Sequence, residues 1–431
     1  MHTGRRQDVP PSRHFAVVEG GLVCDGISLE ALADDHGTPL HVLSAAAIRG
    51  AYEALDASLA GVPHRILYAM KANGNPAVMR LLAGLGAGAD VVSGGELHWA
   101  LWSGVSPDGI VFSGVGKTDP ELEAALDAGI RAIHVESAQE LDVLEALAWG
   151  RGVRARIGLR VNPDVDPETH PYIATGLHGA KFGLELDVAR RLLPRVVRSP
   201  HLLLEAVACH IGSQLPSAQP LEEAVALTAA FARECVAAGA PLRTLDAGGG
   251  WPVTYGDEDE PNAPWAAFGQ AVAAGLARGF GGPSTLEVTV EPGRALIGDA
   301  GALLCRVLFV KEQAGKRFVI LDGGMTELLR PALYSAYHAT VPVRPRAGPL
   351  SLADVVGPVC ETGDFFARDR LLPPLARGDL VLVRGTGAYG AAMASRYNGR
   401  PLAAEVMVEG GRAELVRPRG RVEDLHWAAA R

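Results

Sequence analysis

Residues Leu67 to Pro76 read Leu-Tyr-Ala-Met-Lys-Ala-Asn-Gly-Asn-Pro, so an apolar β-type run ends here in a polar turn. A run of this kind, followed by a turn and a helix start, is typical of parallel α/β folds. The turn contains Lys71. A lysine at the rim of an apolar pocket loses its proton more easily than one in water, and the neutral amine condenses with aldehydes. Because an isolated lysine at a strand end is more often a solvated surface residue, the interpretation of Lys71 depends on the rest of the chain.

Similar β-type runs alternate with Ala/Leu-rich helical patterns as far as residue 291. The eight runs are 65–70, 90–92, 110–112, 132–135, 157–161, 204–209, 244–246 and 286–290. Eight βα units predict an α/β fold with a closed TIM-type (β/α)8 barrel. An open doubly wound sheet is less favoured because no Gly-x-Gly-x-x-Gly follows the first run. Gly129 and Gly150 are expected to end two of the helices.

The pattern changes near residue 301 to strands without long helices. The predicted strands are 303–310, 318–321, 380–383, 404–408 and 414–416. They indicate a mostly antiparallel β domain, a sandwich or a barrel-like sheet, and runs 15–18 and 22–25 around Gly20-Gly21 predict a hairpin that joins it. The expected organisation is therefore an N-terminal segment (1–40), a barrel domain (41–300) and a C-terminal β domain (301–431).

Composition narrows the classes of function. The 431 residues carry a formal net charge of -9, which disfavours nucleic-acid and anionic-membrane partners. The five cysteines include no Cys-x-x-Cys pair, so neither a disulfide framework nor a metal site is expected. Residues Met1 to Arg13 lack the apolar stretch of a signal peptide and are expected to form a frayed tail. The sequence thus predicts a cytoplasmic enzyme that acts on small molecules.

Polar groups follow most of the barrel strands, at the end where barrel enzymes place their chemistry. They are Lys71 and Asn73, Ser93 to Glu96, Asn162 and Asp164, His210 to Gln214, Gly248 to Gly250, and Glu291 to Arg294. The three consecutive glycines Gly248, Gly249 and Gly250 let backbone N–H groups approach an anion, so they predict a phosphate-binding turn to which Ser213 adds a hydroxyl. A tight turn that needs positive φ is the alternative.

An aldehyde cofactor with a phosphate and a pyridine ring, pyridoxal phosphate (PLP), matches these groups. Glu291 would keep the pyridine nitrogen protonated, so that the ring accepts electrons released at the substrate Cα. His210 would stack on the ring. A carboxylate that caps a helix and a hydrogen-bonded core histidine are the alternatives for these two residues.

The second domain offers groups for a substrate. Cys360 and Glu361, in a glycine-bearing loop, place a thiol beside a carboxylate, which suits a proton donor next to an ammonium-binding group; a buried structural cysteine is the alternative. Arg330 and Tyr334 are four residues apart, so they are expected to share a helical face and bind one carboxylate. Tyr389 is expected to reach phosphate or substrate.

Together these motifs resemble the fold-type III PLP-dependent decarboxylases, in the branch that acts on diaminopimelate. The matching stretches are Tyr68 to Asn73, Asn162 to Asp166, Thr169 to Tyr172, Lys181 to Gly183, His210 to Gln214, Gly248 to Gly250, Glu291 to Arg294, Arg330 to Tyr334, Cys360 to Asp364, Gly387 to Gly390, and Tyr397-Asn398. They run in unbroken order from about residue 15 to about residue 425. The chain departs from the family at Thr362, where serine is usual, and at Trp251, where a small aliphatic residue is common.

The resemblance implies a role for each group. Lys71 binds the cofactor aldehyde, His210 stacks on the ring and Glu291 contacts its nitrogen. The phosphate neighbourhood comprises Ser213, Gly248, Gly249, Gly250, Gly293, Arg294 and Tyr389. The distal carboxylate of the substrate is held by Arg294, Arg330 and Tyr334, with Tyr389 nearby, and the distal ammonium by Glu361. Cys360 comes from the partner chain of a homodimer with shared active sites and protonates the carbanion.

The implied reaction converts meso-2,6-diaminopimelate to L-lysine and CO2. A decarboxylase of the same fold for ornithine, arginine, a carboxynorspermidine-like compound, or a siderophore or carrier-bound intermediate is a close alternative. A homologue that binds PLP without catalysis is another. An amino-acid racemase is also conceivable, although an arginine commonly faces the pyridine nitrogen there, where this chain has Glu291.

Overall fold

The computed structural model describes residues 13–167, 175–176, 179–256 and 262–425. The expected N-terminal tail up to residue 12 and the Thr169–Tyr172 motif lie outside the described residues. The chain forms two compact units. The barrel unit comprises Ala51–Pro252 and Pro261–Ala295, and the second unit combines the chain before and after it with a short segment that begins at Val253. In the ranges described, no helix is both long enough and apolar enough to cross a lipid bilayer.

The N-terminal segment begins with the predicted hairpin. Its elements are β1 (Phe15–Val18), β2 (Gly21–Cys24), β3 (Ile27–Ser28), α1 (Leu29–His36) and β4 (Leu40–Ser44), followed by α2 (Ala45–Ser58). Strands β1 and β2 pair antiparallel with Phe15 opposite Cys24. Glu19 and Gly20 between them both have positive φ, as a two-residue hairpin turn requires. The Ser28 hydroxyl accepts hydrogen bonds from the first N–H groups of α1 and so fixes where that helix begins.

The barrel consists of eight parallel strands that close on themselves. They are β5 (His64–Ala69), β6 (Gly88–Val91), β7 (Ile110–Phe112), β8 (Ala132–Val135), β9 (Ala155–Asn162), β11 (Leu202–Ala208), β12 (Thr244–Asp246) and β13 (Glu287–Val290), with β10 (Leu184–Glu185) beside β9. Neighbours in this order pair, and β13 returns to β5 through Val290 opposite Ile66. All eight predicted strands are present, so the predicted barrel is confirmed. Parallel strands are buried on both faces, which explains their nearly continuous apolar sequences.

Helices surround these strands in the predicted alternation. They are α3 (Pro76–Gly84), α4 (Gly94–Trp102), α5 (Asp119–Ala128), α6 (Ala138–Arg151), α7 (Leu186–Arg198), α8 (Gln219–Ala237), α9 (Trp265–Phe280) and α10 (Arg294–Ile297). Helix α5 begins with a reciprocal capping box between Thr118 and Glu121 and ends at Gly129 in the left-handed conformation. The expectation for Gly150 was wrong, because α6 continues to Arg151 and its left-handed cap is Gly152.

The second unit is a mixed, mostly antiparallel β structure. Its elements after the barrel are β14 (Gly301–Gln313), β15 (Lys316–Leu321), α11 (Arg330–Tyr334), β16 (Thr340–Pro342), β17 (Ser351–Val356), β18 (Phe365–Leu372), β19 (Leu380–Arg384), β20 (Ala404–Glu409) and β21 (Arg412–Arg417). The main sheet has the order β18-β17-β15-β14-β4-β20-β21, in which only β15–β17 and β20–β4 are parallel. Strand β19 pairs with β14 and β16.

Strand β14 separates two apolar cores of this unit. Ala302 and Leu304 contribute to one core, whereas Leu303 and Cys305 contribute to the other. This division follows the two-residue period of a strand, which sends successive side chains to opposite faces. Strand β4 lies beside β14 in the same sheet, so residues on either side of the predicted boundary at residue 40 belong to one strand.

A buried histidine in this sheet makes stability depend on pH. His41 on β4 is 3% exposed, and its burial is the main reason that its pKa is lowered to about 4. The charge of Glu405 opposes this shift, and the charges of Arg417 and Arg419 add to it. In the unfolded chain the pKa of histidine is about 6.5. Between these values the unfolded chain binds one more proton than the folded chain, so stability falls as pH falls.

We therefore expect wild-type protein to lose about 2 kcal/mol more than His41→Gln between pH 6.5 and pH 4.5. Urea unfolding of both proteins at the two pH values measures this difference, because the remaining titratable groups are shared. Equal losses would show that His41 takes up its proton without unfolding.

Candidate active site

Lys71 lies where β5 ends, in a single 3-10 turn formed by Met70–Ala72. The Tyr68 hydroxyl, buried in the barrel, donates to the carbonyl of Asn73 at 2.9 Å and holds this turn. The amine of Lys71 lies 3.3 Å from a carboxylate oxygen of Asp90, which is fully buried on the neighbouring strand β6. This ion pair orients the Lys71 side chain at the carboxyl end of the barrel, where it remains 39% exposed.

Glu291 follows β13 and is 8% exposed. The Ser113 hydroxyl donates to its carboxylate at 3.3 Å, and Nδ1 of His134 lies 3.7 Å away. Burial, reinforced by the negative charges of Asp246 and Asp90, raises the pKa of Glu291 well above its usual value. A carboxylate in this position is stabilised by a cation close to it.

Asp246 lies in the same buried cluster of acidic side chains as Glu291. Burial raises its pKa to about 6, although Thr289 donates to one of its oxygens at 2.7 Å and the Gly248 N–H to the other at 2.8 Å. His134, Asp246 and Glu291 offer ligand atoms within 4.8 Å of one another, a spacing that a metal ion could also use. Because both oxygens of Asp246 already accept hydrogen bonds, we interpret the trio as a hydrogen-bonded cluster.

His210 follows β11 and faces the triple-glycine turn. Its Nδ1 accepts a hydrogen bond from the Gly249 N–H at 3.0 Å, which leaves the ring proton on Nε2. Burial of the ring, followed by the charge of Lys71, lowers its pKa well below the usual value. The imidazole is therefore neutral, as is suitable for a group that stacks on an aromatic ring.

The triple-glycine turn follows β12 and has no room for side chains. Gly248 and Gly250 have φ of +69° and +124°. A Cβ on Gly248 would lie 2.6 Å from the carbonyl of Cys209, and one on Gly249 would lie 2.6 Å from the carbonyl of Glu291. The glycines are thus required by the close approach of the strands on either side. The N–H groups of Gly248 and Gly249 donate to Asp246 and His210, so Gly250 is the glycine of this turn that could donate an N–H to an anion.

Two further contacts join the barrel residues into one site. Nε of Arg294 donates to the Ser213 hydroxyl at 3.2 Å. The Ala69 N–H donates to the carbonyl of Pro292 at 3.1 Å, which fixes the loop containing Gly293 beside the loop of Lys71. The structure therefore brings together the barrel residues that the sequence singled out, namely Lys71, His210, Ser213, Gly248, Gly249, Gly250, Glu291, Gly293 and Arg294.

Trp251, the unusual residue after the glycines, is buried against the outer helices of the barrel. Its ring is 1% exposed and packs against Phe268 of α9, with 5.9 Å between ring centroids. The substitution is therefore accommodated in the layer between strands and helices.

The predicted groups of the second unit lie on three segments of the chain. Arg330, which is buried, and Tyr334, which is half-buried, are the ends of the five-residue helix α11. Tyr389 is half-buried with φ of +59°. The thiol of Cys360 and the side chain of Glu361 are exposed on the loop between β17 and β18.

The Cys360 loop is fixed by Asn398 and Asp364, which lie in the matching stretches but received no role from the sequence. Asn398 accepts a hydrogen bond from the Cys360 N–H at 2.8 Å. Asp364, 4% exposed, accepts from the N–H groups of Met325 and Val359 at 2.6 and 2.7 Å. Burial raises the pKa of Asp364, and these two hydrogen bonds oppose the rise. The thiol is thus exposed to solvent on a loop whose backbone is fixed by hydrogen bonds to Asn398 and Asp364.

Asp90 was the main omission in the barrel. The sequence signal was an acidic residue inside a run that is otherwise buried, since such an acid needs a partner. One of its oxygens pairs with Lys71, and the other has no hydrogen-bond partner among the described residues.

The donor set fits PLP. Lys71 provides the amine, and the glycine turn provides the Gly250 N–H for phosphate. Glu291 provides a carboxyl group whose ionised form, disfavoured by burial, would be stabilised by a protonated ring nitrogen. The charges of Asp246 and Asp90 add to the effect of burial on Glu291, so a cationic group close to Glu291 would favour its ionised form.

Comparison with known proteins agrees with this geometry. Residues 45–298 match the family model of the pyridoxal-dependent decarboxylase, pyridoxal binding domain. The diaminopimelate decarboxylase of Aquifex aeolicus is 44% identical over 401 residues, which cover 93% of this chain and 94% of that protein.

Two solved structures extend the likeness to three dimensions. The diaminopimelate decarboxylase of Helicobacter pylori, complexed with L-lysine, has a TM-score of 0.87 and 40% identity and covers 92% of this chain and 98% of its own. The M. jannaschii enzyme in complex with L-lysine has a TM-score of 0.90 and 34% identity, with 96% of both chains covered. The barrel and the matched binding domain define the class, a pyridoxal-dependent decarboxylase. Likeness over more than nine-tenths of the chain narrows that class, and the chain belongs to the diaminopimelate decarboxylase family.

Proposed function

We propose that this protein removes CO2 from the D-configured carbon of meso-2,6-diaminopimelate and releases L-lysine, the last step of lysine biosynthesis. The observation that carries the proposal is the Lys71–Asp90 pair beside buried Glu291, in a chain 44% identical to a diaminopimelate decarboxylase. Two related structures hold L-lysine, the product of this reaction.

The cofactor and the barrel residues would have different roles in the reaction. Bound PLP supplies an aldehyde for the substrate amine and a protonated ring that accepts the electron pair left when the carbon–carboxylate bond breaks. Lys71 would hold the cofactor through its amine nitrogen. Glu291 would keep the ring nitrogen protonated, and neutral His210 would stack on the ring. The cofactor phosphate would be held by Ser213, the triple-glycine turn, Gly293, Arg294 and Tyr389.

The far end of the substrate determines which bond breaks. Arg330, Tyr334 and Arg294 bind the distal carboxylate, and Glu361 binds the distal ammonium group. Fixing that end would orient the scissile carboxylate for the cofactor's chemistry, so these contacts would act on rate as well as on affinity. Ornithine and arginine have no distal carboxylate to satisfy the arginines.

The proton for the product carbon comes from Cys360 of the partner subunit, in a homodimer whose active sites are shared. Exposure of the thiol on a fixed loop supports this role, because a group donated across an interface must be accessible on the isolated chain. The net balance is one CO2 lost and one proton added at the same carbon.

A mixing experiment tests the shared site. Lys71→Ala and Cys360→Ala homodimers are each expected to be nearly inactive, whereas random reassortment gives hybrids with one intact site and about a quarter of wild-type activity. Mixing Lys71→Ala with the double variant Lys71→Ala/Cys360→Ala leaves no intact site and is the control. Failure of the first mixture to recover activity, with hybrids demonstrated by native mass spectrometry, would place both residues in one subunit's site.

A substrate panel tests the reaction itself. The PLP-loaded protein is incubated with meso-, LL- and DD-diaminopimelate, ornithine, arginine and carboxynorspermidine, and CO2 and amines are measured. We expect stereospecific L-lysine from the meso compound, with every substrate lacking a distal carboxylate at least about 100-fold less efficient. Preference for ornithine or arginine would assign a different substrate, and PLP binding without any CO2 release would indicate a non-catalytic homologue.

We place the enzyme in the cytoplasm. All five cysteines are free thiols in the structure, which supports a reducing compartment.

A further inference from the structure

Arg330 contacts Tyr255 and His338, two residues that have no role in the mechanism proposed above. The centre of the Arg330 guanidinium lies 4.8 Å from the ring centroid of Tyr255. Its NH1 atom lies 2.8 Å from Nε2 of His338. The rings of Tyr255 and His338 meet edge to face, with 5.4 Å between centroids and 76° between planes. The three side chains thus contact one another pairwise, and we call them the arginine clamp.

The hydrogen bonds of His338 are satisfied in only one protonation state. A guanidinium only donates, so Nε2 of His338 must accept from Arg330. Nδ1 lies 2.9 Å from the carbonyl oxygen of Arg384, which only accepts, so Nδ1 carries the proton. The ring is 0% exposed, so bulk solvent does not reach either nitrogen. His338 is therefore neutral, with a fixed tautomer whose lone pair is directed at Arg330.

The backbone is shaped to admit this arrangement. Gly385 has φ of +68°, and a Cβ there would lie 3.2 Å from two ring carbons of Tyr255. The hydroxyl of Thr340, also 0% exposed, donates to the carbonyl of His338 at 3.3 Å. Two separate strand ends, β16 and β19, therefore position the clamp.

The arginine clamp restrains both the tilt and the in-plane rotation of the Arg330 guanidinium. Contact with the Tyr255 face restrains the tilt of the plane, and the bond to His338 restrains rotation within the plane. Bidentate recognition of a carboxylate needs both, since its two oxygens must meet two N–H groups in one plane. An arginine without such contacts would lose rotational freedom on each binding event.

We propose that His338 and Tyr255 are positioning residues that orient Arg330 for the distal carboxylate and so set the enzyme's preference for a dicarboxylic substrate. This inference rests on the proposed function, in which Arg330 binds that carboxylate. It predicts an effect confined to substrates that carry the group.

D-lysine is the matched probe. It has the chain, the reacting D-centre and the distal amine of meso-diaminopimelate but lacks the distal carboxylate. The readout is the ratio of kcat/KM for meso-diaminopimelate to kcat/KM for D-lysine. General damage to the fold or to cofactor binding lowers both values and leaves the ratio unchanged.

His338→Phe keeps the aromatic ring against Tyr255 and removes the acceptor. We expect the ratio to fall about 10- to 100-fold, as for the loss of a hydrogen bond to a charged group, while the D-lysine value stays within about twofold. His338→Gln, whose amide can accept from Arg330 and donate to Arg384, restores most of the ratio. In an Arg330→Met background, His338→Phe has no further effect on the ratio.

The outcomes separate the two proposals. If Arg330→Met lowers the ratio but His338→Phe does not, the clamp is wrong and the proposed function stands. If Arg330→Met itself leaves the ratio unchanged, Arg330 does not bind the distal carboxylate, and that part of the proposed function fails as well. Equal losses for both substrates in His338→Phe would show a purely structural histidine and overturn the inference.

Discussion

Lys71→Ala is expected to lower turnover of meso-diaminopimelate by about three to four orders of magnitude, the upper range for loss of a group that takes part in the chemistry. The amine lies at the end of β5, paired with Asp90 at 3.3 Å, and the barrel site offers it to a cofactor aldehyde. Without that amine the protein would have no group at this position to bind the cofactor covalently or to take part in product release. The visible absorbance of lysine-bound PLP should disappear along with activity.

Two controls make this result specific. Lys71→Arg keeps the positive charge beside Asp90 but cannot condense with an aldehyde, so we expect it to be as inactive as the alanine variant. Lys311→Ala removes an exposed lysine on β14 and is expected to behave as wild type. Activity above about one-tenth of wild type in Lys71→Arg would show that charge alone suffices and would refute the assigned role.

Glu291→Gln is expected to lower kcat about 100- to 1000-fold, equivalent to about 3–4 kcal/mol, because the amide cannot hold a proton on the ring nitrogen by charge. The substitution keeps the shape of a side chain that is 8% exposed, so cofactor binding should weaken much less than kcat falls. Spectrophotometric PLP titration and steady-state kinetics measure the two effects separately.

The matched control for this variant is Glu312→Gln, an exposed glutamate near the end of β14, for which no change is expected. An unaltered kcat in Glu291→Gln would mean that another group protonates the ring. Asp246→Asn would then be the next substitution to measure, because that carboxylate belongs to the same buried cluster.

The barrel could be predicted because each of its strands can be recognised from its own residues. Each parallel strand is buried on both faces, so strands such as β5 and β11 are visible as apolar runs, and glycine and proline mark the turns between them. The barrel site was visible for the same reason, since chemical groups such as Lys71 and Glu291 interrupt those runs where the strands end.

The β domain was only partly predictable because its pairing is not local. Strand β4 lies between β14 and β20, which follow it by more than 250 residues, and nothing in its own five residues indicates those partners. Strand β18 was missed because it carries Arg368, Asp369 and Arg370 in succession, which conceals its alternation. Strands β16 and β17 were also missed.

Partners of the site residues were the hardest to foresee. Asp90 was read only as a strand residue, although a buried acid requires a counter-charge. Asn398 contacts Cys360 across 38 positions of sequence, and Tyr255 reaches Arg330 from a segment that precedes it by 75 residues. Contacts of this kind are determined by the folded chain and leave no pattern at either position.

The most direct measurement is to reduce the PLP-loaded enzyme with borohydride and locate the phosphopyridoxyl group by peptide mass spectrometry. Borohydride makes the bond between cofactor and lysine permanent, so the modified residue is the one that binds the aldehyde. The structure predicts stoichiometric label on Lys71, and label that instead lies on Lys117, Lys181 or another lysine would contradict the account.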